Sequence, residues 1–365
     1  MKIRVQAPGK LIWLGEYAVL EGAPAVVTAI DRFARVEVFE KPVNEGKPAN
    51  SVTSEVLEIF EQGFDLEGTR VSWPPTCSPG NRKTLKFFEA TLTRGLENLH
   101  ELGFELAPSH FNLNTANFFL GRSGLKLGFG SSAALSVAVL GALLAAAGQD
   151  LRDPDNQLLI FQSSREAHNH AQGKLGSGID IGASTFGGLL QYQLVQNTLT
   201  TPVMIEQFSF PRDLTPLYIW TGHSASTTEM VRQVNSFRNG NPQAFDTLMK
   251  NMFELGENGC RSLASGDVSA FLEIAEDYGT AMDLLGQKSG ADIFSPPHQR
   301  LREIARTFSA AYKPSGAGGG DLGIAFARDP EQISALTLAI NNAGFDIIEL
   351  KHVSEGVHLQ QEEEN

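Results

Sequence analysis

Gly128-Phe129-Gly130-Ser131-Ser132-Ala133-Ala134 is a run of small residues between a predicted strand and a long apolar segment that continues to Ala147. Glycine lets the backbone approach a ligand closely, and the Ala and Leu residues that follow predict a buried helix beginning at Ser131. Backbone N–H groups and the positive end of that helix would then face the same point. The run therefore predicts a cradle for a phosphate group at the start of a core helix.

Two other anion-binding motifs can be compared with this run. Gly128, Gly130 and Ala133 satisfy the dinucleotide-binding pattern, but that fold needs a second parallel strand ending in an acidic residue about 20 residues on. Asp150 instead follows the helix directly, in a polar loop. A P-loop is excluded because no Gly-Lys-Ser/Thr follows. A glycine turn that merely packs a helix is the structural alternative.

The composition bounds the class of protein. The chain has 365 residues, enough for about two packed units, and its 42% hydrophobic and 19% charged residues are ordinary for a globular protein. With 42 acidic and 29 basic residues the net charge is -13, which would repel nucleic acid. No concentrated basic stripe in the sequence offsets this charge.

The cellular location is predicted from targeting signals and cysteine usage. The start of the chain carries no export signal, and the longest apolar stretch, 133–147, is shorter than the ~20 residues that a bilayer crossing needs. Cys77 and Cys260 are far apart and suggest neither a disulfide framework nor a metal cluster. We expect a cytoplasmic protein with no membrane or nucleic-acid partner, and a homodimer stays open.

The N-terminal segment is predicted to be a strand that ends early. Residues 3–7 alternate between apolar and polar side chains, and Pro8 and Gly9 then interrupt the pattern. Lys10 is therefore expected in a turn. Residues 55–60 are predicted to be helical from the same periodicity argument.

Two domains are predicted from the order of the elements. The pattern loosens around residues 195–212, so the expected division is 1–200 and 201–365. The second part ends in a predicted strand, helix and strand, which suits an α+β sandwich. The fold class is therefore predicted to be α+β.

Two further glycine-flanked segments could carry chemistry. Gly176-Ser177-Gly178-Ile179-Asp180 presents one carboxylate on a predicted loop, where it could orient or deprotonate an acceptor; a plain turn residue is the alternative. Lys313-Pro314-Ser315-Gly316-Ala317-Gly318-Gly319-Gly320-Asp321 holds more glycine than a turn requires. That density indicates close approach to a ligand, with a flexible hinge as the alternative.

Three separated segments together resemble the GHMP kinases: Pro8-Gly9-Lys10, residues 128–134 and residues 315–320. The resemblance implies a two-domain GHMP kinase fold, with an N-terminal domain that is ribosomal protein S5 domain 2-like and a C-terminal ferredoxin-like α/β sandwich. It also implies an ATP-dependent phosphotransferase that uses Mg²⁺ and acts on a small molecule.

Within that superfamily, two stretches resemble kinases of the mevalonate pathway of isoprenoid biosynthesis. Gly15-Glu16-Tyr17-Ala18-Val19-Leu20-Glu21-Gly22 is similar to both mevalonate and phosphomevalonate kinases, and residues 171–180 resemble the phosphomevalonate kinase form of the acceptor loop. Two features depart from that form. Many relatives have Leu at the position of Phe129, and residues 181–188 partly resemble mevalonate kinase instead. The resemblance implies phosphorylation of 5-phosphomevalonate; a mevalonate kinase and a non-catalytic ligand sensor are the alternatives.

The resemblance also implies roles for individual residues. Lys10 would bridge the transferred phosphoryl group and the acceptor, and Asp180 would orient Lys10 or act as a base. Mg²⁺ would be held by Ser132 and Glu166. The residues implied to bind ATP are Gly128, Gly130, Ser131, Ser132 and Ala133. The residues implied to contact the substrate, besides Lys10, are Tyr17, Lys174, Ser177, Gly178 and Gly318.

The anionic groups of the acceptor need positive charge from the protein. The basic side chains nearest to the motifs in sequence are Lys174, Arg165, His168, Arg82, Lys83 and Lys86. Their order of importance does not follow from the sequence.

Overall fold

The computed structural model describes residues 2–42, 46–120, 125–173, 176–195 and 203–360, and it confirms the predicted α+β class. A larger sheet is built mostly from the first half of the chain, and a smaller sheet from the second half. The expected boundary at residues 200 and 201 lies outside the described residues, so the domain limits stay a prediction.

Strands form two main sheets. In chain order they are β1 (Lys2–Leu14), β2 (Ala25–Glu40), β3 (Asn50–Ser54), β4 (Ile59–Glu67), β5 (Arg70–Ser72), β6 (Ser109–Asn114), β7 (Phe119–Leu120), β8 (Leu125–Lys126), β9 (Leu189–Leu194), β10 (Val203–Phe208), β11 (Thr215–Trp220), β12 (Ala311–Pro314), β13 (Leu322–Ala327), β14 (Asp346–Ile348) and β15 (His358–Leu359). The larger sheet has the order β10, β9, β2, β6, β3, β4, β5, and β1 pairs with both β2 and β15. The smaller sheet has the order β12, β13, β11, β14, and β7 pairs with β8 in a short ribbon.

Helices cover these sheets. They are α1 (Pro79–Glu101), α2 (Ser131–Ala146), α3 (Pro154–Gln172), α4 (Ile179–Phe186), α5 (Thr227–Gly240), α6 (Pro242–Ser265), α7 (Val268–Ser289), α8 (Pro296–Thr307) and α9 (Pro330–Asn342). Helix α2 is apolar on every side because it lies in the core, packed against β1, β2, α1 and α3. Within the described ranges, no helix is both long and apolar enough to cross a membrane.

Strand β1 passes through Lys10 without a turn, so the predicted turn is wrong. A bulge shifts the register of β1 against β2 between Pro8 and Gly9. Proline cannot donate a ladder hydrogen bond, and it is tolerated at such a bulge. A Cβ atom on Gly9 would lie 2.8 Å from Cε1 of Phe118, so glycine is needed for this close approach. The N–H of Lys10 then donates to the carbonyl of Phe129 at 3.0 Å.

Two other local predictions are also wrong. Residues 55–58 form the turn between β3 and β4 rather than a helix. Ile59 is then buried while Phe60 is 74% exposed, which is the alternation of a strand. Asp180, expected in a loop, lies in the first turn of α4, a helix whose eight residues are too few to give a strong periodic signal.

Buried contacts join the first strand to the second half of the chain. The ring of Trp13 packs against that of Phe326 on β13, with ring centroids 5.3 Å apart. Lys313 on β12 forms an ion pair with Glu16, and both side chains are buried. The hydroxyl of Tyr278 donates to the carbonyl of Glu16 at 2.9 Å. The glycine-rich segment, residues 315–320, therefore starts from a strand that is fixed against the N-terminal sheet.

Candidate active site

The glycine turn, residues 128–130, leads directly into the first turn of α2. Gly128 and Gly130 have φ angles of 72° and 78°, a left-handed backbone that favours glycine. Gly130 is the N-cap of α2, and no side chain in the described part of the chain caps this helix end. The first N–H groups of α2 therefore keep the capacity to bind an anion. The structure thus brings Gly128, Gly130, Ser131, Ser132 and Ala133 to one helix end, while their role in ATP binding stays a prediction.

Lys10 and Asp180 meet at the Gly130 end of the glycine turn. Lys10 is 7% exposed, and its Nζ lies 3.5 Å from Oδ1 of Asp180, whose side chain is 36% exposed. A Cβ atom on Gly130 would lie 3.3 Å from Cε of Lys10 and 3.5 Å from Oδ2 of Asp180. Asp180 lies in the first turn of α4, whose N-cap is Gly178. A charged pair with one solvent-accessible partner thus borders the predicted phosphate cradle.

Lys126 and Asp321 lie at the Gly128 end of the same turn. Lys126 ends β8, and Oδ2 of Asp321 lies 3.5 Å from the position of a Cβ atom on Gly128. Loss of surrounding water lowers the pKa of Lys126, whereas the charges of Asp321 and Asp180 raise it. Burial raises the pKa of Asp321, opposed by hydrogen bonds and by the charges of Lys10 and Lys126. The turn therefore has a lysine and a carboxylate at each end.

The second of these pairs was missed by the sequence interpretation. Asp321 is the last residue of the segment 313–321. The prediction for that segment rested on its glycine residues and gave Asp321 no role. Lys126 follows the expected strand by several residues and belongs to no spacing pattern. Its position two residues before the predicted phosphate cradle was the one available signal.

The predicted metal ligands Ser132 and Glu166 have different partners in the structure. Oγ of Ser132 lies 3.1 Å from Nε2 of His168. Oε2 of Glu166 lies 3.0 Å from Nε of Arg94 on α1, and the Glu166 side chain is 63% exposed. Residues two apart on a helix leave it on different faces, so Glu166 and His168 point to different neighbours. Residues 2–42, 46–120, 125–173, 176–195 and 203–360 contain no group of three or more His, Cys, Asp or Glu that could hold a metal.

His168 is a hydrogen-bonding group rather than a source of positive charge. Burial lowers its pKa, opposed by the charge of Asp180, so the imidazole is largely neutral at neutral pH. The ring of Phe87 stacks on it, with centroids 4.7 Å apart. Nζ of Lys86 lies 4.9 Å from the centroid of that phenyl ring. Lys86 therefore lies on the side of Phe87 that is near His168.

Tyr17 and Gly318 are tied to the glycine-rich segment. The hydroxyl of Tyr17 donates to the carbonyl of Ala317 at 2.5 Å. Burial, with the charge of Glu16, raises the pKa of Tyr17, so this hydroxyl stays protonated. Gly318 has a φ of 80°, and a Cβ atom there would lie 2.5 Å from the carbonyl oxygen of Ile293. Both residues hold the segment in place, and their contact with a substrate stays a prediction.

Ser177 and Gly178 hold the segment that leads into α4. The carbonyl of Ser177 accepts a hydrogen bond from the hydroxyl of Tyr192. Gly178 is the N-cap of α4, and a Cβ atom on it would lie 2.8 Å from Cδ of Arg165. Arg165 therefore packs beside the N-cap of α4, the helix that carries Asp180. Lys174, also predicted to contact the substrate, lies outside the described residues.

Part of the sequence that forms this site matches the model of a known protein family. Residues 92–188, which contain the glycine turn and Asp180, match the family model described as GHMP kinases N terminal domain. The chain is 29% identical over 338 residues to a phosphomevalonate kinase from Streptomyces sp. (strain CL190), which covers 87% of this chain and 88% of that protein. It is 27% identical over 373 residues to a mevalonate kinase from Thermococcus onnurineus (strain NA1), with 99% of each covered.

A solved structure is similar over nearly the whole chain. The phosphomevalonate kinase from Streptococcus pneumoniae, in complex with phosphomevalonate and AMPPNP, aligns with a TM-score of 0.76 at 25% identity. The alignment covers 96% of this chain and 100% of that one. The likeness extends beyond the matched N-terminal region to the smaller sheet and its helices.

Proposed function

This chain belongs to the GHMP kinase superfamily and is a phosphotransferase, and on that basis we propose that it transfers the γ-phosphoryl group of ATP to 5-phosphomevalonate. The products would be ADP and 5-diphosphomevalonate. The reaction would serve the mevalonate pathway of isoprenoid biosynthesis.

The placement of two lysines, Lys10 and Lys126, at the glycine turn carries this proposal. A triphosphate and a phosphate acceptor repel each other strongly, so two cations near the transferred group suit this acceptor better than a neutral hydroxyl. The similarity to a phosphomevalonate kinase over most of both chains supports the same acceptor.

In the proposed reaction an oxygen of the acceptor phosphate attacks the γ-phosphorus in line, and ADP leaves with the electron pair of the broken bond. A phosphate monoester has a second pKa near ~6, so the acceptor is mostly ionised at neutral pH and needs little help from a base. Lys10 would lie between the two phosphates as a compact charge, and Asp180 would orient its ammonium group. Lys126 would neutralise charge at the Gly128 end.

The nucleotide would be held mainly by backbone groups. The first turn of α2 and the glycine turn supply N–H donors, with Ser131, Ser132 and Ala133 at the helix start. A helix end stabilises an adjacent anion by at most about 2 kcal/mol, so it cannot hold a triphosphate alone. The two lysines therefore add binding as well as transition-state stabilisation.

The acceptor would lie beside the residues that lead into α4. Ser177 and Gly178 are adjacent to Asp180 in the chain, and Tyr17 and Gly318 position the glycine-rich segment. Lys174 belongs to the same proposed acceptor loop. These five positions are proposed as substrate contacts from the resemblance.

Mg²⁺ would reach this site bound to the nucleotide phosphates. Magnesium in kinases is commonly held by one or two protein oxygens together with substrate phosphates and water, so a complete protein cage is not required. Oγ of Ser132, at the first turn of α2, fits one such position. Oε2 of Glu166 pairs with Arg94, and the role of Glu166 as a ligand stays a prediction. When bound, the ion would neutralise charge on the β- and γ-phosphates.

A coupled assay of ADP release tests the proposal, with 5-phosphomevalonate, mevalonate and galactose offered in parallel. The expected result is ADP release that depends on 5-phosphomevalonate and is far weaker with the other two acceptors. Turnover with galactose alone would remove the mevalonate pathway from consideration.

Mevalonate kinase is the second candidate. It is favoured by the similarity to a mevalonate kinase over 99% of both chains. With a hydroxyl acceptor, Asp180 would have to remove a proton rather than only orient Lys10. ADP release with mevalonate but not with 5-phosphomevalonate would establish this alternative, and ligand binding without ADP release would indicate a sensor.

A further inference from the structure

His223 connects the loop after β11 to the glycine-rich segment. Nε2 of its ring lies 3.0 Å from the carbonyl oxygen of Gly319. We propose that His223 is a positioning residue for phosphoryl transfer, because this hydrogen bond turns the N–H of Gly320 toward the acceptor. The role rests on the proposed function, in which the glycine-rich segment contacts that acceptor.

The contact between His223 and the segment has a defined direction. A carbonyl oxygen only accepts hydrogen bonds, so Nε2 of His223 carries the proton and donates it. The carbonyl of His223 in turn accepts from the N–H of Asp321 at 2.8 Å. A Cβ atom on Gly320 would also lie 2.8 Å from that carbonyl oxygen, so glycine is needed for the two backbones to come this close. Two hydrogen bonds therefore fix His223 against the segment.

The planar peptide bond links the Gly319 carbonyl to the N–H of the next residue. In a trans peptide the carbonyl oxygen and the N–H hydrogen point in opposite directions, so holding the carbonyl of Gly319 also sets the direction of the N–H of Gly320. No peptide bond in the described ranges is cis. Tyr17 acts in the same way on the preceding pair, since its hydroxyl donates to the carbonyl of Ala317 and so sets the N–H of Gly318. Side chains from outside the segment thus aim two of its N–H groups.

These two N–H groups differ from that of the residue between them in having no protein partner. The N–H of Gly319 donates to the carbonyl of Ile293 at 2.9 Å. In the described part of the chain, the N–H groups of Gly318 and Gly320 have no hydrogen-bond partner, although both residues are buried. Buried N–H groups are almost always paired, so a bound molecule is the expected partner. Phosphate and carboxylate oxygens of an acceptor are suitable hydrogen-bond acceptors for such groups.

Gly320 precedes the residue that reaches the glycine turn. Oδ2 of Asp321 lies 3.5 Å from the position of a Cβ atom on Gly128, which begins that turn. The carbonyl of Gly320 is also held, because it accepts from Nε2 of the buried His298 at 3.1 Å. The N–H that His223 aims therefore belongs to a fixed part of the segment, one residue away from the contact with the glycine turn.

His223→Asn and His223→Gln form a matched pair, because the longer Gln side chain places an amide N–H where Nε2 lies and the Asn side chain is too short. We expect kcat/KM for 5-phosphomevalonate to fall about 10- to 100-fold in His223→Asn. The KM for ATP and the Tm should change little, because His223 is exposed. His223→Gln should keep most of the parent activity, and His100→Asn, an exposed control in the last turn of α1, should keep all of it.

Two kinetic results would overturn the proposal. One is a parent-like kcat/KM in His223→Asn, with or without a lower Tm, which would leave His223 a structural role at most. The other is an equal loss in His223→Asn and His223→Gln, which would show that the donor to Gly319 is not what matters.

Hydrogen exchange gives a readout that does not need turnover. Residue-resolved exchange of the segment's amides is measured without ATP, with 5-phosphomevalonate and mevalonate added in parallel. We expect the acceptor to slow exchange at Gly320 in the parent protein and in His223→Gln, and far less in His223→Asn. Equal protection in all three proteins, or none in a parent protein that phosphorylates either acceptor, would refute the role of His223. If only mevalonate is phosphorylated and protects Gly320, the proposed acceptor fails and the positioning role stands.

Discussion

Two lysine–carboxylate pairs lie close to the first strand of this protein, and they differ in their access to water. Lys10 and Asp180 are 3.5 Å apart, and the aspartate side chain is 36% exposed. Lys313 and Glu16 are in direct contact, with side chains that are 0% and 2% exposed. The open pair can exchange its partner for a substrate phosphate, whereas the sealed pair cannot without separating the two halves of the chain.

The sealed pair is held by a set of partners that only the folded chain supplies. Nζ of Lys313 also donates to the carbonyl of Pro314 at 2.7 Å, and the N–H of Gly316 donates to Oε1 of Glu16 at 3.3 Å. Burial raises the pKa of Glu16 and lowers that of Lys313, and each residue's charge opposes the shift of the other. The sealed pair fixes the start of the glycine-rich segment, whereas the open pair has the accessibility that its proposed role in phosphoryl transfer requires.

Breaking the sealed pair should produce the largest change. Lys313→Met leaves the Glu16 carboxylate buried without its counter-charge, and we expect a loss of about 3–5 kcal/mol in the free energy of unfolding. Urea unfolding measures it. The double variant Lys313→Met with Glu16→Met should recover most of the loss, because an apolar pair removes the uncompensated charge. A single variant as stable as the parent would show that the pair contributes nothing.

Breaking the open pair should affect turnover instead of stability. Lys10→Met removes a preorganised charge from the transferred group, which typically raises the barrier by ~2.7–4 kcal/mol, so kcat should fall about a hundredfold or more. Steady-state kinetics and thermal unfolding measure the two effects. Lys2→Met is the control on the same strand, because Lys2 is exposed and pairs with Glu37 at 3.6 Å. Near-normal turnover of Lys10→Met would remove Lys10 from the mechanism.

The free energy of unfolding should also decrease in acid, because buried histidines lie in the second half of the chain. His298 is fully buried, where Nε2 donates to the carbonyl of Gly320 at 3.1 Å and Nδ1 accepts from Tyr312 at 2.8 Å. Burial lowers the pKa of His298 to about 4, and the pKa of His352 is likewise about 4. As pH falls from 6.5 toward 4, both histidines take up protons in the unfolded chain but stay neutral in the folded chain. The free energy of unfolding therefore decreases.

The contribution of His298 to this decrease is measurable. One proton corresponds to at most about 1.4 kcal/mol per pH unit. The free energy of unfolding of His298→Gln should therefore decline less steeply below pH 6.5 than that of the parent, with His352 keeping its own share. Identical slopes in urea unfolding from pH 7 to 4 would contradict the buried, neutral assignment.

Glu166→Gln should have the smallest effect on stability. Its pair with Arg94 is largely exposed, so we expect a change in the free energy of unfolding below about 1 kcal/mol. The predicted role of Glu166 as a Mg²⁺ ligand is tested by measuring the rate of ADP release at several Mg²⁺ concentrations. A higher Mg²⁺ requirement in Glu166→Gln would support that role, and an unchanged requirement would exclude it.

Local features of the sequence anticipated much of the fold around the site. Small residues at 128–134 and the apolar run behind them predicted a glycine turn followed by a buried helix, and α2 confirms both. These signals were readable because they depend on neighbouring residues. The bulge at Pro8 and Gly9 was misread because two breakers in a row are typical of turns, whereas pairing with β2 keeps the strand extended.

Pairings between distant residues could not be read in the same way. Glu16 and Lys313 are 297 residues apart, and nothing local shows that they are buried together. Ser224, in the loop after β11, contacts the carbonyl of Lys126 across 98 residues of sequence, and nothing local predicts this contact. Glu166 was assigned by resemblance to a metal site, while the face of α3 that it occupies is decided by packing against α1.

The central claim is that this protein transfers a phosphoryl group from ATP to an acceptor phosphate and that Lys10, in the open pair, is required for the transfer. Phosphorus NMR of a reaction with ATP, Mg²⁺ and 5-phosphomevalonate follows the product directly. The account predicts loss of the phosphomonoester signal and growth of a pair of coupled diphosphate signals in the parent protein, with neither change in Lys10→Met. An unchanged phosphomonoester in the parent protein, together with formation of a new monoester from mevalonate, would contradict it.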